Sequence, residues 1–215
     1  VADSGDSRDI HFKNTTFWGN KNIAVWGKKP AITYEDCKIY GRIVNVWGSS
    51  IVDDASKFIR CEIEDRLHPI YGISTASFLI DISGENVLFD NCAITSNYSK
   101  SISTTVGNSE TFKDCVITHK WDGLADKGFQ CSFNNSKLIN VTFKESYVTP
   151  PANNYFINLP SVSDVLFEDV NVDCVYTLWF SWSVGAGGFS GDIGSNKASV
   201  KQLLKIQKRL RVDNF

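Results

Sequence analysis

The sequence predicts an all-β chain, a right-handed parallel β-helix of about seven coils with a short C-terminal helix. Three observations carry this expectation. Seven short segments repeat one pattern: HFKNTTF, TYEDCKI, KFIRCEI, LFDNCAI, TFKDCVI, TFKESYV and LFEDVNV. A second set of β-prone strings lies upstream of them, one in nearly every repeat. Pro and Gly fall between the segments, and no helical period runs through them.

Each segment offers an aromatic or apolar residue, polar residues, a small slot, then an apolar residue two places on. The slot reads Thr15, Cys37, Cys61, Cys92, Cys115, Ser146 and Val170, with spacings of 22, 24, 31, 23, 31 and 24. A period in the low twenties with alternating strands is the mark of a solenoid. The Leu/Asn consensus of a leucine-rich repeat is absent. In one coil, Val87, Phe89, Cys92 and Ile94 point inward, and Asp90 and Asn91 form a sharp corner. Asn and Asp tolerate such corners through side-chain hydrogen bonds to the backbone.

The upstream strings are IAVW at 23–26, VNVW at 44–47, LIDIS at 79–83, FQCSF at 129–133, FINLP at 156–160 and LWFSW at 178–182. Neighbouring coils pair edge to edge about 4.8 Å apart, so like residues stack on like. The recurring cysteines then form a buried ladder of free thiols, a position that suits a small apolar group. This reading is preferred to three disulfides from the six cysteines. Without a CxxC pair or clustered His, no metal site and no cofactor are expected.

The β-helix is assigned to residues 1–185, and residues 186–215 to a cap or interface segment. There Val200, Leu203, Leu204, Ile206 and Leu210 fit one face of a short helix, with Ser195 or Asn196 as its cap. Lys201, Lys205, Lys208, Arg209 and Arg211 crowd the rest of it. They form either a docking site for acidic glycan or lipid phosphate, or the solvated face of a helix that closes the solenoid. The second reading is the simpler.

The composition is globular: 21% charged, 13% aromatic and a net charge of −2. No apolar run is long enough to span a bilayer, so membrane insertion is not expected. The first residues lack the basic and apolar regions of a signal peptide. Met is absent, which fits a processed piece of a longer chain. The basic residues are too scattered along the repeat for nucleic acid. Four Asn-x-Ser/Thr sequences, starting at Asn14, Asn97, Asn134 and Asn140, follow from corner geometry, and GDS at 5–7 lacks the strand a serine hydrolase motif needs.

Two coils look longer than the rest. Their inserts read EIEDRLHPIYG (62–72) and VITHKWDGLADKG (116–128), and both leave the repeat just after the slot. They should wall a groove across the upstream strands, two strand spacings apart. Alternation with Val44, Val46, Ile80, Ile82 and Ile157 facing in puts Asn45, Asp81, Gln130 and Asn158 on the outer face. Trp26 and Trp47 occupy matching VWG units. Exposed Trp beside amides suits sugar rings, while packing at a corner is the plainer alternative.

Glycoside hydrolysis needs two carboxyl groups. Asp81, Asp122 and Asp126 are the candidates, with Glu64 in reserve. A lyase needs a cation and a base instead. Arg66, His68, His119, Lys120 and Lys127 supply these, and Trp121 adds an aromatic surface. Taken singly, each is more simply a solvated loop residue.

The Asn/Asp corner between two strands, as in NVLFDNCAIT at 86–95, resembles the pectate-lyase-like β-helix superfamily over roughly residues 10–185. Within it the chain is most similar to a bacteriophage tailspike or capsule depolymerase. That resemblance implies a homotrimer on a virion tail or otherwise extracellular, which binds or cleaves a bacterial surface polysaccharide. A non-catalytic glycan-binding adhesin and a structural shaft are the alternatives on the same scaffold.

Overall fold

The computed structural model describes residues 10–18, 23–24, 32–44, 55–66, 78–82, 85–97, 100–104, 110–120, 131–132, 136–146, 157–159, 166–173, 178–184 and 187–193. Twenty-two strands are assigned, and no helix occurs among the described residues. The first sheet holds β1 (Ile10–Lys13), β4 (Ile32–Glu35), β7 (Lys57–Ile59), β10 (Leu88–Asp90), β13 (Thr111–Lys113), β16 (Lys137–Ile139) and β19 (Leu166–Glu168), in that spatial order. The second holds β2 (Thr16–Trp18), β5 (Lys38–Tyr40), β8 (Glu62–Glu64), β11 (Ala93–Ser96), β14 (Val116–Lys120), β17 (Thr142–Ser146) and β20 (Asn171–Asp173).

The third sheet runs through β3 (Ile23–Ala24), β6 (Ile43–Val44), β9 (Phe78–Ile82), β12 (Lys100–Thr104), β15 (Cys131–Ser132), β18 (Ile157–Leu159) and β21 (Leu178–Val184). It ends in β22 (Gly187–Ile193), the one antiparallel partner among the described residues. Every third strand belongs to the same sheet and the other described pairings are parallel, which is the topology of a parallel β-helix. Seven turns of three strands are described.

Six of the seven repeated segments therefore span two strands, with the corner between them. At that corner one residue per coil has left-handed backbone: Asn14, Asp36, Arg60, Asn91, Asp114, Asn140 and Asp169, with φ between 50° and 55°. Asn and Asp bear this conformation at least cost after Gly, whereas a longer side chain meets its own carbonyl. Arg60 is the exception. Its guanidinium reaches both carboxyl oxygens of Asp36 (2.7 and 2.9 Å) and Glu35 (2.5 Å) in the preceding coil. Those two carboxyls are held below the usual range, Asp36 by Arg60 and Glu35 by Lys13 and Arg60.

The hydrogen-bond ladder passes through the corner without a break. Asn91 N–H donates to Lys113 in the next coil, and Ala93 N–H donates to Cys61 in the previous one. The slot residue faces inward behind the corner. Cys37, Cys61, Cys92 and Cys115 are buried, free thiols. Each donates to the carbonyl of the aromatic residue one coil before it: Phe12, Tyr34, Phe58 and Phe89, at 3.3–3.5 Å. Burial pushes the Cys37 thiol up. Cys92 is driven far up by the thiols of Cys115 and Cys61 on either side, then by burial.

The inward aromatics form the core's spine. Tyr34, Phe58, Phe89 and Phe112 stack with centroids 4.7–4.8 Å apart and planes within 5°. That separation is the strand spacing itself. Ile39, Ile63, Ile94, Ile117 and Phe143 make the parallel column of the second sheet, each fully buried.

Pairing corrects the sixth repeat. Leu138 aligns with Phe112, and Phe143 with Ile117. TFKESYV therefore begins in the second sheet, and the slot is Val141, not Ser146. The spacings around it become 26 and 29 residues instead of 31 and 24. Apolar residues keep facing inward in this register, whereas a slot at Ser146 would shift Phe143 into the first sheet.

Coil lengths follow. The long connections between the second and third sheets are residues 65–77, 121–130 and 147–156. Two of them fall in the expected inserts, separated by one coil with a short connection. However, Val116–Lys120 is strand and not loop. The third sheet also gains a strand that alternation did not reveal, β12, whose KSIST carries a single large apolar residue. In β6 the inward residue is Ile43, buried and paired with Ile80, so Val44 and not Asn45 lies level with Asp81. The expected helix over 200–211 lies outside the described residues. The boundary at 185/186 likewise lies outside the described residues.

The left-handed corner carries a direct test. Asn91→Ala should destabilise by about 1–2 kcal/mol, and Asn91→Gly should be close to neutral, in urea unfolding. Cys92→Leu should cost roughly 1–3 kcal/mol by overpacking the thiol column. Unchanged midpoints in Asn91→Ala and Cys92→Leu would contradict the stacked-coil geometry.

Candidate functional site

The outer candidates fall on two faces. In the third sheet, register places Asp81, Ser103, Ser132, Asn158 and Ser181 in one row across five consecutive coils. The neighbouring row is Ile43, Ile80, Ile102, Cys131, Ile157 and Phe180, of which Ile43 and Ile80 are buried. The polar row is one strand position along from the apolar row in each of these coils. Asp81 and Asn158 thus share a row, as alternation predicts. Ser103, Ser132 and Ser181 extend it. Leu79, two residues before Asp81 in β9, is fully buried.

Glu64 and Arg66 stand elsewhere, at the end of the second sheet. Arg66 bonds Glu64 through Nε (2.5 Å) and Glu62 through its terminal nitrogen (3.0 Å). Its guanidinium lies 3.9 Å from the centroid of the Tyr40 ring. The Tyr40 hydroxyl donates to Glu62 at 3.2 Å, and Asn97 Nδ2 donates to Glu64 at 2.9 Å. Trp18, on the far side of Tyr40, has its ring centroid 4.8 Å away and is 51% exposed. Reserve catalyst and candidate cation are therefore ion partners, on a different sheet from Asp81.

His119 lies towards the end of β14, in the second sheet, and is buried, not displayed on a loop. Its Nδ1 lies 2.8 Å from Ser96 Oγ in the preceding coil. Asp65 is level with Ser96 one coil further back, also buried, and takes the Asn97 backbone N–H. A polar column of Asp65, Ser96 and His119 thus runs where the long connections leave the solenoid. A side chain enclosed in this way does not offer itself to a polymer, so His119 is reassigned from substrate contact to packing at the end of the second sheet. Asp122, Asp126, Trp26, Asn45, Trp47, His68, Trp121 and Gln130 lie outside the described residues, as does Lys127.

Before the first sheet lies another buried polar group. Ser56, Glu110 and Ser136 are fully buried at the turn into β7, β13 and β16. Ser136 donates to Glu110 Oε2 at 3.1 Å, while Oε1 has no hydrogen-bond partner among the described residues. Burial pushes this carboxyl up to about 7, against the smaller opposing effects of its own backbone amide and Ser136. Among the described residues, no group of three or more His, Cys, Asp or Glu side chains could hold a metal ion. No helix among them is long and apolar enough to cross a membrane.

Sequence patterning missed Trp18, Tyr40, Asn97, Ser96, Asp65 and Glu110. The first two were findable. Three residues past the slot, the second sheet presents Trp18, Tyr40, Glu64, Thr95, Thr118 and Lys144 in one outward row. Two aromatics at the head of that row stand out once the coils are aligned.

No protein-family model matches the chain. No curated protein matches it either. Among solved structures it is similar to trypsin-treated QnrB1, a plasmid-mediated fluoroquinolone resistance protein, at 10% identity. That match covers 77% of this chain and 92% of the other, with a TM-score of 0.24. At that score the fold rests on the strand pairings above, and the likeness adds nothing on function.

Glu110 yields a pH signature. Its folded value lies above the ordinary 4.5, so the folded state holds a proton that the unfolded chain releases. The contribution of Glu110 to stability should be greatest below about pH 4.5, fall as pH rises towards 7, and lose about 3 kcal/mol in all. Glu110→Gln should remove that slope and raise stability above pH 7. Parallel pH profiles of the two proteins in urea would refute the assignment.

Proposed function

We propose that this chain is a polysaccharide-recognising β-helix of the bacteriophage tailspike kind, binding a bacterial capsule or O-antigen along its third sheet. The observation that carries the reading is the register row Asp81, Ser103, Ser132, Asn158 and Ser181. It sets hydrogen-bonding residue types at a pitch of about 4.8 Å on a rigid backbone. A polymer with regularly spaced hydroxyls is the ligand such a row suits. Three long connections, 65–77, 121–130 and 147–156, leave from the corner between the second and third sheets. Loops on a rigid scaffold are where recognition concentrates.

Binding without cleavage is the preferred form of this reading. Glycoside hydrolysis needs a second carboxyl across the bond from the first. Glu64 is tied to Arg66 on the second sheet, away from the Asp81 row. Depolymerisation remains the second form because Asp122 and Asp126 belong to the connection after β14, which leads into the third sheet. A homotrimer on a virion tail is the setting we propose for either form.

Incubation with a panel of bacterial capsules and O-antigens separates the readings. Retention on at least one polymer without new reducing or unsaturated ends is the expected result. New ends would establish an enzyme, and Asp81→Asn should then abolish them while sparing retention. Neither retention nor new ends would leave a structural shaft.

A further inference from the structure

The second sheet carries a feature that the third-sheet row does not use. Among the described residues, Trp18 is the exposed large hydrophobic side chain. It is braced rather than loose. Tyr40 backs it at 4.8 Å with a 60° tilt, and Tyr40 is itself only 7% exposed. Arg66 covers another part of the Tyr40 ring at 3.9 Å. Glu62 and Glu64 hold Arg66 in turn, and Asn97 holds Glu64. Three successive coils thus build one stack: indole, phenol, guanidinium.

We propose that Trp18, backed by Tyr40, is a stacking platform for a sugar ring of a neutral polysaccharide. The inference rests on the polysaccharide reading above and names a contact and a polymer class within it. A sugar offers an apolar face to an aromatic ring and hydroxyl edges to polar neighbours. Carboxylates on Glu62 and Glu64 and the Asn97 amide follow along the same sheet, two and three coils from Trp18. The charge pattern selects the class. Arg66 is shared by Glu62 and Glu64, and Lys38 lies 3.8 Å from Glu62. Both of these cations, Arg66 and Lys38, are therefore already matched by carboxylates. An anionic polymer would have to break these pairs, whereas a neutral one leaves them in place. The bracing also means that few side-chain rotamers need to be ordered on binding.

Affinity electrophoresis of the full chain tests this, with gels containing purified neutral or acidic bacterial O-polysaccharides. The wild type should be retarded in at least one neutral gel. Trp18→Ala should weaken that retardation about tenfold with an unchanged unfolding midpoint, and Trp18→Phe should recover most of it. If Trp18→Ala runs like the wild type in a gel that retards the wild type, the platform is wrong and polysaccharide recognition stands. Retardation by acidic polymers alone overturns the neutral class. A wild type retarded by no polymer overturns both readings.

Discussion

Parallel pairing in register is the constraint on which the rest of this molecule depends. Each coil lies one strand spacing from the next, so a residue's neighbours are its counterparts in the coils before and after. Every position becomes a column, and a column admits only groups that stack on themselves. Flat rings do so, as the Tyr34 to Phe112 series shows. A thiol does so because it is small and can donate to a carbonyl one coil back. Asn and Asp do so at the corner because the left-handed backbone recurs there in every coil. The junctions between sheets differ in kind: thiols between the first and second, Asp65, Ser96 and His119 at the end of the second, and Ser56, Glu110 and Ser136 before the first.

Much of this was legible in the sequence, for the same reason. A column repeats a residue class at a fixed phase, and HFKNTTF through LFEDVNV displays that class plainly. Errors arose where the class weakens. TFKESYV contains an aromatic at the right distance from a small residue, so it imitates the first-sheet phase although Phe143 pairs with Ile117. KSIST hides a strand because one Ile among polar residues carries no alternation. At 43–46 the string is apolar at Ile43, Val44 and Val46, and only its pairing with Ile80 settles the phase.

The candidate site was less legible than the fold. Asp81 and Asn158 share a row because strand alternation is local and visible. The partnership of Arg66 with Glu64 and Tyr40 is not local in the same sense. It depends on which coil lies beneath, and Tyr40 comes from the preceding repeat. His119 misled for the opposite reason. A His next to Lys and Trp reads as a loop residue, yet β14 runs through it and turns it inward against Ser96. Polar residues on a solenoid can thus be buried packing or surface chemistry, and only register distinguishes the two.

The thiol column has a further use. Cys37, Cys61, Cys92 and Cys115 sit in four consecutive coils, each enclosed by its own neighbours. A thiol reagent can reach one of them only when that coil has opened. The chain therefore carries a clock in each of four adjacent turns. The order in which they react would show whether the solenoid frays from one end or opens as a single unit, a distinction that a bulk melting curve averages away.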